Sequence, residues 1–96
     1  MNNEELWGKF LDIIEENLST VSFDLWFKHL VFVDFNDNTL TFSVINDYYR
    51  NHINKYFGEL LDEVCEKVAD HPISYEIVLP NEILNKKEEP KEKEDK

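Results

Sequence analysis

The side chains that could do chemistry are few and dispersed along the chain. His29, His52 and His71 show no ligand spacing, and the single cysteine, Cys65, has no partner for a disulfide or a metal cluster. On the apolar face of a helical segment such a cysteine reads as core. The carboxylate pairs Glu15-Glu16 and Asp62-Glu63 read as exposed-helix groups, whereas general acid–base work needs convergence in a cleft. The only glycines, Gly8 and Gly58, each lie in a helical segment, so no loop is available to cradle a phosphate. No catalytic, metal or cofactor site is expected, and the chain does not read as an enzyme. The distinctive residues are aromatic: seven Phe, four Tyr and two Trp, each tryptophan bringing a large apolar surface and an N–H that needs a partner.

The elements that must position these rings follow from periodicity and capping. Residues 3–17 form a helix in which Leu6, Phe10, Ile13 and Ile14 make one stripe, extended by Trp7, Leu11 and Leu18. That arc is about 160° wide, more than one core contact requires. Ser19 or Ser22 can cap a short helix over residues 20–28, where Phe23, Trp26 and Phe27 fall at helical spacing. Leu30 to Phe35 reads as a strand, Asn36-Asp37-Asn38 as a turn, and Thr39 to Val44 as a second strand with Leu40, Phe42 and Val44 on one face. Asn46 caps a long helix reaching about residue 69, with Asp47 favourably placed on its dipole. After His71-Pro72, Ile73 to Leu79 alternates as a third strand, and Pro80 ends the pattern. The order is α-α-β-β-α-β, an α+β class. Residues 1–80 make one domain, and 81–96 read as a disordered charged tail with too little apolar content to offset its ordering entropy.

Charge narrows the partners. The chain carries −11, and residues 1–80 hold 15 acidic groups against five basic ones, a net of −10. With one arginine, Arg50, this surface repels a phosphate backbone, so little or no direct nucleic-acid binding is expected. A negative field favours solubility and basic protein surfaces. No signal peptide or membrane-length apolar run is present, which reads as a soluble cytosolic domain.

Five landmarks in order carry a family resemblance: Leu6-Trp7, Leu18-Ser19, Ser22-Phe23-Asp24-Leu25-Trp26-Phe27, the turn closing in Thr39-Leu40, and Asn46-Asp47-Tyr48-Tyr49. Over residues 5–80 they resemble the N-terminal domain (domain I) of the DnaA family of bacterial replication initiators. The resemblance implies a three-stranded sheet packed on helices in a K-homology-like arrangement, without the Gly-x-x-Gly clamp by which K-homology domains hold single strands. It implies a cytoplasmic, bacterial interaction domain followed by a flexible linker. Its work would be initiator self-association and docking of the replicative helicase or regulators of initiation at the origin. Self-association would fall to Leu6, Trp7 and Leu11 in a weak homodimer, although Trp7 alone also reads as a core ring at the edge of a small domain. Partner binding would fall to Ser22, Trp26, Asn46, Tyr48 and Tyr49. Many relatives carry an acidic residue at Ser22, Phe at Tyr48 and Pro at Ile45, so the partner set can differ. ATP would belong only to a downstream domain. The runner-up is a stand-alone adaptor of the same fold that regulates initiation.

Overall fold

The computed structural model describes residues 2–83. Helix α1 (Asn3–Glu16) starts at a reciprocal cap: the Glu5 N–H donates to Asn2 Oδ1 at 2.8 Å, and the Asn2 N–H donates to Glu5 Oε1 at 3.3 Å. Two orphan donors of the first turn are thereby satisfied. Its inner stripe, Leu6, Phe10 and Ile14, is buried. Helix α2 (Thr20–Trp26) is capped by Ser19, whose Oγ accepts from the Ser22 N–H at 3.1 Å, which resolves the choice between the two serines. It has no fully buried residue and rests on the domain through half-buried Phe23 and Trp26.

Strands β1 (Val31–Asn36) and β2 (Thr39–Ser43) form the expected hairpin. The turn places Asp37 and Asn38 at φ 53° and 60°, the left-handed region a two-residue hairpin turn requires and that Asn and Asp tolerate best. Asn38 also ties the turn to the far side of the sheet. Its carbonyl accepts from the Ser74 N–H at 2.8 Å, and its Oδ1 lies 2.8 Å from His71 Nε2.

Helix α3 (Asp47–Lys67) crosses the sheet and returns the chain to β3 (Ser74–Val78), which pairs parallel with β2. The sheet is therefore mixed, ordered β1-β2-β3 with β2 central. Leu40, Phe42 and Val44 enter one core with Phe10, Ile14, Ile53, Leu61, Val64, Cys65 and Ile77. Tyr75 lies beside Gly58 and donates to Asn54 Oδ1 at 3.4 Å; its hydroxyl sits 3.6 Å from where a Cβ on Gly58 would stand. This is the α+β class and element order expected from the sequence.

Two details differ from the sequence reading. A bulge at Val33 lets Phe32 pair with Phe42 and Phe35 with Leu40, although Phe32 and Phe35 are three residues apart. An extra residue resets the alternation, so both rings join the core-side packing. Pro80 does not end the ordered chain. It opens a helical turn over residues 80–83, a position where proline's missing N–H would have had no partner anyway. Glu82 Oε1 accepts from the Leu79 N–H at 3.1 Å and so caps that turn. The rest of the expected tail, residues 84–96, lies outside the described residues.

Candidate protein-interaction surface

The aromatic residues of α2 and the first half of α3 converge on one face. Asn46 caps α3 by accepting from the Tyr49 N–H at 3.1 Å, which fixes the first turn and aims Tyr48 and Tyr49 in different directions. Tyr49 packs towards the core, while Tyr48 is 66% exposed. Trp26 comes across from α2 to meet both rings, at 6.0 Å from Tyr48 and 5.2 Å from Tyr49. Ser22, one turn before Trp26 on α2, is half-buried. The structure thus brings Trp26, Tyr48 and Tyr49 together, with Asn46 serving as the cap that sets their geometry.

His52 is the residue that the sequence reading missed. Its imidazole stacks on the Trp26 indole with ring centroids 3.5 Å apart and planes 8° from parallel. It also neighbours Tyr56 at 4.6 Å. The available signal was the i, i+4 series Tyr48, His52, Tyr56, which puts three rings on one helical stripe. Tyr48 and Tyr56 are the exposed ends of that stripe, and Leu25 and Ile45 are further large apolar side chains left in water. Asp24 and Asp47 are the exposed carboxylates in the same segments.

Arg50 is committed elsewhere. Its guanidinium binds Asp47 Oδ1 at 2.8 Å and Glu82 Oε1 at 3.1 Å and donates to the Ile77 carbonyl at 3.4 Å. The Asp47 hydrogen bond, aided by the charges of Glu82 and Asp47, raises its pKa further and keeps it charged. It joins the start of α3 to the helical turn after β3.

The α1 flank has a different character. Leu6 is 4% exposed and belongs to the core, so of the three residues expected on a self-association face only Trp7 and Leu11 keep surface to offer. Trp7 is itself half-buried, stacked on Phe10 at 5.4 Å and tilted against Phe42 at 5.7 Å and Phe32 at 5.8 Å. Beside it, Leu6, Phe35, Ala69 and His71 line a cleft of about 200 Å³.

Cys65 is buried, and burial with the nearby Asp62 charge pushes its thiol up to about 12, which keeps it protonated and inert. Tyr75 is also raised, by burial first and then by Asp62 and Cys65. Among the described residues no group of three or more His, Cys, Asp or Glu could hold a metal ion, and no helix is long and apolar enough to cross a membrane.

Fold and surface together define a small α+β domain with a three-stranded mixed sheet, whose exposed assets are aromatic rings rather than an assembled polar site. The chain belongs to the DnaA N-terminal domain family, whose profile matches residues 4–67. Among curated relatives, the chromosomal replication initiator protein DnaA of Synechocystis sp. is 32% identical over 75 residues, covering 78% of this chain and 17% of that protein. The protein of the same name from Borrelia turicatae is 27% identical over 77 residues, covering 80% and 16%. That from Picosynechococcus sp. is 24% identical over 79 residues, covering 82% and 18%. The chain thus spans less than a fifth of the length of these relatives.

Proposed function

We propose that this domain is a non-catalytic protein–protein interaction module of a DnaA-type initiator. It docks the replicative helicase or regulators of initiation through Trp26, Tyr48 and the capped start of α3, and it brings initiator protomers together through Trp7 and Leu11. The observation that carries the reading is the solvent-facing Tyr48 ring, held beside the Trp26–His52 stack at the rigid first turn of a 21-residue helix. Rings preorganised this way lose little conformational entropy on binding, and aromatic anchors carry a disproportionate share of interface energy. Ser22 lies at the margin of this face and Tyr49 beneath it. The α1 flank supports only a weak homodimer, on the order of micromolar to millimolar, because a small patch offsets little of the entropy of association. DNA binding is a minor property at most: the net charge of residues 1–80 is −10, and the one guanidinium is already engaged by two carboxylates.

The decisive experiment is a calorimetric titration of the cognate helicase with the wild-type chain and with Tyr48→Ala. The variant should lose less than about 0.5 kcal/mol of stability, as expected of an exposed side chain, yet weaken binding by about 1–2 kcal/mol. Wild-type affinity in the variant removes Tyr48 from the interface. Micromolar affinity for a labelled single-stranded oligonucleotide at near-physiological salt would instead place the domain among nucleic-acid binders.

A further inference from the structure

A second surface adjoins the aromatic face at Tyr56, where the end of α1 meets the middle of α3. An open groove of about 510 Å³ runs between them, floored by Leu18, Phe57 and Leu60, walled by Tyr56 and rimmed by Glu59 and Glu63. No lining residue is basic, and among the described residues neither rim carboxylate is in an ion pair. The remaining polar lining group, Asn17, is occupied: its side-chain N–H donates to the Ile13 carbonyl at 2.7 Å. The groove therefore offers an apolar floor and two carboxylates outside any ion pair among the described residues, with Lys55 and Lys67 one turn away on either side along α3. Tyr56 is 62% exposed, and the Lys55 ammonium rests 5.4 Å from its ring centroid, so that ring already receives a cation.

We infer that this groove docks a cationic amphipathic helix of a partner protein, with an apolar anchor on the Leu18–Phe57–Leu60 floor and Lys or Arg side chains against Glu59 and Glu63. The spacing suits a helix. Glu59 and Glu63 are one turn apart on α3, roughly 6 Å along its axis, which matches cations at i and i+4 of a second helix lying alongside. The charge selects the partner's class. Two carboxylates at the rim of an acidic domain repel nucleic acid and anionic lipid and attract a basic protein segment, and the apolar floor adds contact that exposed ion pairs alone do not.

The test uses a synthetic Leu/Lys amphipathic peptide of about 16 residues, long enough to become helical on docking. Two controls accompany it: a scrambled peptide of the same composition and a Leu/Glu counterpart. Titration into the isotope-labelled full chain, followed by amide chemical shifts at an ionic strength of about 0.15 M, reads both affinity and location. The expected map centres on Leu18, Phe57, Glu59, Leu60 and Glu63. Glu59→Lys combined with Glu63→Lys should weaken binding on the order of tenfold. The matched reversal Glu15→Lys with Glu16→Lys, outside the groove lining, should cost far less. The Leu/Glu peptide should not bind, and the scrambled peptide should bind distinctly more weakly. Both double variants change exposed positions, and thermal melts of each confirm that they fold. Equal losses in the two variants, equal binding of the scrambled peptide, or a shift map centred on Trp26 and Tyr48 would each overturn the inference. Loss of self-association in the Glu59/Glu63 variant, read by sedimentation, would overturn it too, because the occupant would then be a second copy of this chain.

Discussion

Replacing Trp7 with alanine separates the two roles its position allows. The indole is half-buried and contacts three rings, Phe10, Phe32 and Phe42, at centroid distances of 5.4–5.8 Å. Truncating a fully buried Trp costs about 3–5 kcal/mol, and scaling for the exposed part of this ring leaves about 2–3 kcal/mol. A domain of this size is stabilised by roughly 4–12 kcal/mol in total, so the variant keeps its fold in the cold with a much thinner margin. The corresponding drop in melting temperature is about 8–24 °C, at roughly 4–8 °C per kcal/mol. Urea titration followed by far-ultraviolet circular dichroism reads the change as a lower midpoint at unchanged slope. A loss below about 0.5 kcal/mol would refute the reasoning, since it would mean that the indole stands away from the sheet. Sedimentation at low temperature, where the variant remains folded, then addresses self-association. An unchanged monomer–dimer equilibrium in Trp7→Ala would confine the ring to a packing role.

Three other outcomes follow from single features. Asn46→Ala removes the side-chain acceptor for the Tyr49 N–H and should cost about 1 kcal/mol in chemical denaturation; Asn46→Asp should restore most of it. Gly8→Ala meets open space on the exposed side of α1 and should stabilise the domain by about 0.5–1 kcal/mol in the same measurement. Cys65, with its folded pKa raised to about 12 above an ordinary thiol value near 9, adds stability that is fully present below about pH 9. That contribution is lost as pH rises towards 12, because the unfolded chain ionises first. Cys65→Ala should flatten this part of the alkaline stability profile, and native wild-type protein should resist alkylation at pH values near 8 until denaturant is added.

Element order and most of the capping are legible in the local pattern of residues. Helical and alternating periods run through residues 3–16, 39–43, 47–67 and 74–78 with little ambiguity, and Asn46 and Asn36-Asp37-Asn38 carry local chemistry that needs no distant partner. The positions of Trp26, Tyr48 and Tyr49 were legible because one short helix and one long helix had to carry them. How strands and rings meet depends on packing between elements. Thr41 and Ser43 alternate with Leu40, Phe42 and Val44, yet each is also only 4% exposed, because β2 is the central strand between an antiparallel and a parallel neighbour. Phe32 and Phe35 share a face only through the bulge at Val33, which no period-two pattern contains. Leu6 and Trp7 are adjacent in the chain, but contact with the sheet sends one wholly into the core and leaves the other at its edge. His52 became part of the aromatic face because a residue 26 positions earlier stacks on it, and Arg50 gains an ion pair with Glu82, 32 positions later. Local propensity fixes which residues share an element, but proximity between elements depends on how their faces pack, and that information exists only once the chain has folded.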